Sequence, residues 1–230
     1  MIIAIDGPSG AGKSTLGKML AKKLNLLYLD TGAMYRAVGL AVLESKTAFA
    51  DTAKVAEIAE NARIELIGEP EELQIKLDGR DVSKAIRTND VGQAASIVST
   101  ISEVRKILVE HQRILGETAP HGCVLDGRDI GTVVFPNADV KFYLTAKPEA
   151  RARRRYEEDL TRGLAADVTY EKTFEEIKQR DERDASRADS PLSIAADAIV
   201  IDTSELNLTE VFERMAETIR EIEKTNCGAP

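Results

Sequence analysis

The sequence contains no tryptophan, and aromatic residues of any kind make up only 4% of its 230 residues. Hydrophobic residues nevertheless account for 43% of the chain. A core built from this sequence must therefore consist mainly of aliphatic side chains. This amount of apolar side chain suits one α/β domain of ordinary size with small additions.

Cysteine and histidine are equally scarce, with two residues of each. Cys123 and Cys227 cannot form a disulfide framework, and neither they nor His111 and His121 have the spacing of a zinc site. A chain without such a framework is typical of the reducing cytoplasm, where we expect this protein to reside.

The sequence also lacks long apolar runs and an excess of positive charge. No hydrophobic run approaches about 18 residues, the length needed to span a membrane, and a strand predicted from residue 2 leaves no room for a signal peptide. The net charge of −8 argues against general nucleic-acid binding, which needs clustered cations. We expect a monomer with neither a membrane nor a nucleic-acid partner.

The most informative stretch is the first fifteen residues, MIIAIDGPSGAGKST. The apolar run 2–5 predicts a buried strand, and apolar residues after Ser14 recur at helical spacing. Between them the sequence matches the pattern G-x-x-x-x-G-K-[ST] of a phosphate-binding loop. In this strand-to-helix context, the loop glycines and the helix N-terminus predict a nucleotide site. A glycine-rich turn without a ligand is the alternative.

Three residues are candidates for the phosphate and metal chemistry of this loop. Lys13 adds a charge that can reach the outer phosphates, and the hydroxyl of Ser14 can hold Mg²⁺. Asp126 ends another predicted strand and is a candidate for the acid that supports the Mg²⁺ shell. The alternative for Asp126 is an aspartate that only caps its strand.

Short apolar runs separated by predicted helices indicate a five-stranded parallel sheet. The strands are predicted at 2–5, 26–29, 123–126, 140–144 and 198–202, and helices at about 33–43, 96–116, from Pro148 onward, and after a capping box at Asn207 and Glu210. Ligands of such sheets bind beyond the carboxyl ends of the strands. Asp30, Asp126 and the glycine loop are therefore expected to meet there.

An insertion interrupts this pattern. Residues 63–84 alternate between apolar and polar residues with a turn at Asp78-Gly79, which predicts a small antiparallel sheet. We therefore expect a core formed by 1–62 and 85–225, with 226–230 as a flexible tail.

Arginines recur where ligands of the sheet are expected. Arg36 follows Thr31, the residue predicted to cap its helix, and Arg128 lies beyond a predicted strand. Two charged runs place several arginines on one helical face. Such runs are usually solvated faces, but beside a phosphate loop in an acidic protein they favour a site for two nucleotides. The runs are Arg151, Arg154 and Arg155, and Arg180, Asp184 and Arg187.

Five segments together resemble bacterial cytidylate kinases: GPSGAGKST, DTGAMYR, AAS with a downstream VRK, LDGRDIGTVVFP, and RDERDASR. The resemblance runs from residue 2 to about residue 222, and DTGAMYR and DGRDIGTVVFP are more specific than the glycine loop. It implies a P-loop kinase core with a mobile arginine-rich lid at about 148–170, and an insertion that helps to bind the nucleoside monophosphate. The implied reaction transfers a phosphoryl group from ATP, with Mg²⁺, to CMP or dCMP.

The resemblance also implies roles for individual residues. It implies that Lys13, Arg36, Arg128, Arg187 and the lid residue Arg154 act in phosphoryl transfer, with Thr31 beside the acceptor phosphate. It assigns cytosine to Ser96, Arg105 and Asp129, ribose to Arg180 and Asp184, and ATP phosphates to Gly7, Pro8, Ser9, Gly10, Ala11, Gly12, Lys13, Ser14 and Thr15. Some members carry Ser at the position of Thr31 and Gly at that of Ser14. The first difference keeps a hydroxyl, and Ser14 favours the standard loop.

Three alternatives remain open at this stage. The chain could be a kinase for another monophosphate or for a small hydroxyl acceptor such as shikimate, which would need a general base. It could be a regulatory nucleotide switch, although it lacks the N-K-x-D motif of guanine-specific switches. A phosphate-binding module without catalysis would leave the second set of arginines unexplained.

Overall fold

The computed structural model describes residues 1–161 and 169–227 as an α/β fold with two sheets. Its strands are β1 (Ile2–Asp6), β2 (Leu27–Asp30), β3 (Ile64–Ile67), β4 (Gln74–Leu77), β5 (Arg80–Asp81), β6 (Cys123–Asp126), β7 (Val140–Thr145) and β8 (Ile199–Asp202). The larger sheet has the order β2-β6-β1-β7-β8 and all its strand pairs are parallel. The predicted five-stranded parallel sheet is confirmed, with each strand end within one residue.

The register of the sheet explains why polar residues gather at one edge. Asp126 is the register partner of both Ile5 in β1 and Asp30 in β2. The glycine loop follows β1 directly, so it begins at the same edge as the two aspartates. A continuous run of buried apolar residues precedes this edge in the neighbouring strands β1 and β6, as expected for a parallel sheet covered on both faces.

Helices cover both faces of the larger sheet. They are α1 (Lys13–Leu24), α2 (Thr31–Glu44), α3 (Thr52–Asn61), α4 (Asn89–Val98), α5 (Ser102–Glu117), α6 (Pro148–Thr161), α7 (Tyr170–Ser186) and α8 (Leu208–Cys227). The capping box before α8 is confirmed, because Asn207 N–H donates to Glu210 over 2.8 Å and Glu210 N–H donates to Asn207 Oδ1 over 3.0 Å. Among the described residues, no helix combines the length and apolar character needed to cross a bilayer.

The single helix predicted over 96–116 is wrong. The chain forms α4 and α5 instead, with a break at residues 99–101. The hydroxyls of Ser99 and Thr100 donate to the carbonyl oxygens of Ser96 and Ile97, each over 2.8 Å. Such local bonds compete with the helical ladder, and the periodic apolar pattern concealed this interruption.

The insertion forms a second, antiparallel sheet with the order β3-β4-β5. Its buried residues Ile64, Ile75 and Leu77 pack in one apolar cluster with residues of α2 and α5. Helix α8 reaches two residues into the predicted tail, and residues 228–230 lie outside the described part of the chain. The predicted lid at about 148–170 includes α6, but its residues 162–168 also lie outside the described residues.

Candidate active site

The glycine loop between β1 and α1 has a backbone that other residues would not readily adopt. Gly7 has a φ of +144°, and a Cβ on it would lie 2.0 Å from the carbonyl oxygen of Leu144. Gly12 immediately precedes α1 and has no side chain with which to cap the helix. The first turn of α1 lines a cavity, so its N–H groups are suited to an anionic ligand.

Lys13 is the first residue of α1 and is buried beside the loop. Its ammonium group donates a hydrogen bond of 2.8 Å to the carbonyl oxygen of Pro8, so the side chain lies along the loop. Burial and the nearby charge of Arg128 lower the pKa of Lys13 well below its ordinary value. An anion beside the ammonium group would offset both effects, which makes Lys13 suited to bind a phosphate.

Ser14 and Asp126, the two predicted magnesium ligands, are in direct contact. The Ser14 hydroxyl donates a hydrogen bond of 2.6 Å to one carboxylate oxygen of Asp126, and the Tyr28 hydroxyl donates one of 3.1 Å to the other. Burial, followed by the charge of Asp30, raises the pKa of Asp126 to about 6. The nearby charge of Lys13 compensates this buried carboxylate only in part, and the carboxylate with the adjacent hydroxyl is a donor set that fits Mg²⁺.

The carboxyl edge of the larger sheet opens into a cavity of about 540 Å³ that side chains from α1, α2, α5, α6 and α7 also line. Nine of the lining side chains are cationic and six are acidic, whereas the whole chain has a net charge of −8. The cavity is therefore a local concentration of positive charge in an acidic protein. Its cations are Lys13, Lys18, Arg36, Arg87, Arg105, Arg128, Arg155, Arg180 and Arg187.

Some of these guanidinium groups have buried N–H groups without a hydrogen-bond partner in the described part of the chain. They include Nε of Arg180 and both Nε and Nη2 of Arg187. Burial lowers the pKa of Arg180 to about 9 and that of Arg36 to about 10. A buried polar group left unsatisfied costs about 1–3 kcal/mol. An anion in the cavity would remove this cost.

Asp184 of α7 connects two of the arginines. The Nε of Arg128 donates a hydrogen bond of 2.8 Å to Asp184, and the Nε of Arg180 lies 4.0 Å from the same carboxylate oxygen. Despite burial, the charge of Asp184 raises the pKa of Arg128. The loop after β6 and helix α7 are thus joined in the cavity, which Arg187 at the end of α7 also lines.

Arg105 and Asp129 form a buried ion pair in the same cavity, in which the guanidinium group of Arg105 donates to the carboxylate. Arg105 also lies 5.8 Å from the ring centre of Tyr35. Ser96, the third residue predicted to bind cytosine, is buried, and its hydroxyl has no partner within the described residues. Ser96 is not among the lining residues, whereas Ser99 is.

The start of α2 differs from the prediction. Asp30, not Thr31, caps the helix, since its carboxylate accepts the N–H of Ala33 over 2.8 Å. The prediction of Thr31 as the cap is therefore wrong. The hydroxyl of Thr31 instead donates to the backbone carbonyl of Asp126 over 2.6 Å, and Thr31 lines the cavity beside Arg36.

Arg87 is a cavity residue that sequence reasoning missed. It donates a hydrogen bond of 3.0 Å to Asp30, and the charges of Arg87 and Arg36 lower the pKa of Asp30 although burial opposes them. Arg87 ends a short turn before α4 and belongs to none of the recognised motifs. Its partner Asp30 is 57 residues away in the sequence. The sequence therefore carries no local signal for it, and the same is true of Ser99, whereas Tyr35 lies in the DTGAMYR motif but was given no role.

The three arginines expected on one face of α6 have different partners. Arg151 donates to the carbonyl oxygen of Ser9 over 3.1 Å, while Arg154 donates to the hydroxyl of Thr203 over 2.9 Å and to its carbonyl. Of the three, Arg155 is the one that lines the cavity. The structure does not bring Arg154 into the cavity. Residues on one helical face can place the terminal groups of long side chains at different sites.

Comparisons with known proteins point in one direction. A sequence profile described as Cytidylate kinase matches residues 3–221. The chain is 52% identical over 218 residues to the cytidylate kinase of Caldanaerobacter subterraneus subsp. tengcongensis, a match that covers 95% of this chain and 94% of that protein. It is 45% identical over 219 residues to the cytidylate kinase of Bacillus subtilis, covering 95% of this chain and 96% of that protein.

The fold of this chain also occurs outside this family. A crystal structure of shikimate kinase from Bacteroides thetaiotaomicron covers 97% of this chain and 98% of its own, with a TM-score of 0.51 and 15% identity. At that identity the likeness shows a common fold and no more.

Proposed function

Because this chain belongs to the cytidylate kinase family, we propose that its cavity transfers the γ-phosphoryl group of ATP to CMP or dCMP. One observation carries the assignment of the cavity. Arg180 and Arg187 line the same cavity as the glycine loop, and each has a buried N–H group that lacks a hydrogen-bond partner among the described residues. The phosphates of one nucleotide would bind at the glycine loop, and those of a second would neutralise the charge of the arginines.

The donor nucleotide is held by the residues from Gly7 to Thr15. Backbone N–H groups at the start of α1 bind its phosphates, and Lys13 reaches the outer ones. Ser14 and Asp126 would hold Mg²⁺. When bound, this ion supplies positive charge to the phosphate oxygens of ATP.

The acceptor nucleotide lies on the other side of the cavity. Arg36, Arg128 and Arg187 bind its phosphate with Thr31 nearby, and Arg87 adds a further cation. Arg180 and Asp184 hold the ribose. The base faces the pair of Arg105 and Asp129, with Ser96 behind it, and an acidic acceptor at this point recognises the amino group that distinguishes cytosine from uracil.

The transfer itself needs little covalent chemistry from the protein. An oxygen of the acceptor phosphate attacks the γ-phosphorus, the bond from that phosphorus to the bridging oxygen breaks, and ADP leaves with the electron pair. The second pKa of a phosphate monoester is about 6, so the acceptor is already a nucleophile at neutral pH and no general base is required.

The main barrier is the repulsion between two anions. Two unit charges 4 Å apart repel by about 1 kcal/mol in water and by several times more in a closed site. Arginine is suited to offset this because its planar fork binds phosphate through two bonds and keeps its proton. Arg155 of α6 would complete this charge when the lid closes, and closure would also exclude water as a competing acceptor.

We also propose that the protein acts as a monomer in the cytoplasm, without a nucleic-acid partner. The acidic net charge of −8 argues against nucleic-acid binding, and the small number of cysteines is typical of the cytoplasm. Size-exclusion chromatography with light scattering would test the monomer, and a dimer at micromolar concentration would contradict it.

Production of ADP should be measured with Mg-ATP and CMP, dCMP, UMP, AMP or shikimate, and without an acceptor. Shikimate is included because a shikimate kinase shares the fold. We expect ADP release to depend on CMP or dCMP, and CDP or dCDP to appear in equal amount. ATP turnover that is unchanged by a pyrimidine monophosphate, or that is greatest with shikimate, would overturn the proposal.

A further inference from the structure

Asp6 is a buried carboxylate to which the proposed mechanism gives no role. Asp6 is the last residue of β1, immediately before the glycine loop, and only 4% of its surface is exposed. Its two carboxylate oxygens accept the backbone N–H groups of Ile130 and Gly131 over 2.8 and 2.7 Å. The side chain therefore joins the strand that carries the donor loop to the segment that carries Arg128 and Asp129.

The two N–H groups that Asp6 binds have a particular position. They open a π-helical turn at Ile130–Val134, and the first N–H groups of any helix lack partners within the helix. An aspartate just before a helix commonly caps it with its own carboxylate. Asp129 occupies that place but makes no capping bond. Asp6 supplies the missing acceptors from another strand.

This arrangement has a consequence for Asp129. Since its carboxylate does not cap the turn, it is available to pair with Arg105 in the cavity. Close packing supports the arrangement, because a Cβ on Gly131 would lie 3.4 Å from Asp6 and 3.0 Å from the side chain of Lys141. The turn is thus confined between β1 and β7.

We infer that Asp6 is a positioning residue for base selection. By capping the turn from β1, it holds the carboxylate of Asp129 towards Arg105 and the acceptor base and prevents it from folding back onto its own turn. The inference rests on the proposed function, in which Asp129 and Arg105 face the base. It assigns to Asp6 an effect on the choice of acceptor that acts through Asp129.

Asp6→Asn is the first test, because it keeps the size of the side chain but replaces one acceptor oxygen by an N–H donor that faces another donor. The readouts are kcat/KM for CMP and for UMP, and KM for ATP. Above pH 7.5 we expect the ratio of kcat/KM for CMP over UMP to fall about tenfold or more, as for loss of a bond to a charged group. KM for ATP should change less than about twofold if the glycine loop keeps its geometry.

The matched control is Asp139→Asn. Asp139 is an exposed carboxylate that accepts the N–H of Ile2 over 2.6 Å at the opposite end of β1. This variant removes the charge of a carboxylate that accepts an N–H group of the same strand, and it should keep the wild-type ratio. If Asp6→Asn does not fold, Asp6→Ser removes the charge, leaves room for water to bind the two N–H groups, and should show the same fall.

A double-mutant cycle distinguishes positioning from a general loss of structure. In an Asp129→Asn background, Asp6→Asn should no longer change the ratio of CMP to UMP. Equal losses for CMP and UMP in the single variant, or an undiminished effect in the Asp129→Asn background, would overturn the inference while wild-type activity on CMP stands. A wild-type protein that does not phosphorylate CMP would instead overturn the proposed function and this inference with it.

Discussion

The hydroxyl of Ser14 lies 2.6 Å from the carboxylate of Asp126, although 112 residues separate the two in sequence. This contact joins the start of α1 to the carboxyl end of β6. It brings two oxygen donors together at the point where the phosphates of ATP are proposed to lie. Burial and the charge of Asp30 disfavour the charged carboxylate, and the nearby ammonium group of Lys13 offsets this only in part. A divalent cation is the natural partner for such a pair.

Asp126→Asn should therefore weaken the response to Mg²⁺. We expect the Mg²⁺ concentration for half-maximal activity to rise about tenfold or more and kcat to fall roughly hundredfold. Tyr28→Phe is the matched control, since it removes a 3.1 Å hydrogen bond to the same carboxylate but leaves its charge. A Mg²⁺ titration of both variants decides the matter: equal effects would mean that the carboxylate acts only as a structural acceptor.

Arg128→Ala should reduce the affinity for CMP and the rate of transfer together, because the guanidinium group binds the acceptor in both the ground state and the transition state. Loss of kcat/KM for CMP by roughly a hundredfold or more is expected. Arg80→Ala serves as the control, because Arg80 pairs with Glu44 on the surface over 2.6 Å and does not line the cavity. Wild-type kinetics for Arg128→Ala would remove it from the acceptor site.

Asp129 should determine the choice between cytosine and uracil. Asp129→Ala should relax that choice, but it also leaves the buried charge of Arg105 uncompensated, which costs about 3–5 kcal/mol. Asp129→Asn also removes the charge, but it keeps the volume and an oxygen that can accept from Arg105, so it is the better variant for kinetics. We expect its ratio of kcat/KM for CMP over UMP to fall about tenfold or more. An unchanged ratio in competition assays with both acceptors would refute this role.

Arg155→Ala should lower kcat much more than Arg154→Ala does. Arg155 lines the cavity, whereas Arg154 bonds to Thr203, whose hydroxyl in turn contacts the carbonyl oxygen of Ala11 over 3.4 Å. Loss of Arg155 is expected to reduce kcat roughly hundredfold, and loss of Arg154 to act mainly on thermal stability. Steady-state kinetics and thermal unfolding of both variants test this, and a larger loss of kcat for Arg154→Ala would reverse the assignment.

The pH dependence of stability should reveal the buried charge of Asp6. Burial raises its pKa from 3.8 to about 6, although the N–H groups of Gly131 and Ile130 oppose the shift. Between these values the folded state binds more protons than the unfolded state, so the stability that Asp6 contributes is largest below pH 4 and is lost as the pH rises through 6. The change amounts to at most about 3 kcal/mol.

Urea unfolding of the wild type and of Asp6→Asn at several values between pH 4 and pH 7.5 isolates this effect. The free energy of unfolding of the wild type minus that of the variant should decrease across the series. A difference that is constant, or that increases with pH, would show that the carboxylate is not held in a desolvated environment.

Much of the fold could be predicted because its signals are local. The strands of the parallel sheet are short, mostly apolar runs that a polar residue or a loop ends, and the capping box before α8 lies within four residues. The break between α4 and α5 was missed because the apolar residues keep their spacing across it. Hydroxyl groups at Ser99 and Thr100 divided the helix by local bonds that periodicity does not register.

The sequence by itself determined the order of strand, glycine loop and helix and the parallel sheet. It also determined the family, because the family's motifs are short stretches of consecutive residues. Only the tertiary structure decided which side chains meet: Asp30 with Arg87, Arg128 with Asp184, and Asp6 with the turn after Asp129. It also decided that Arg155 and not Arg154 lines the cavity. The reason is physical. Spacing along a helix or strand sets the direction in which a side chain leaves the backbone. Burial, charge and the partners packed against a long side chain set the position of its terminal group.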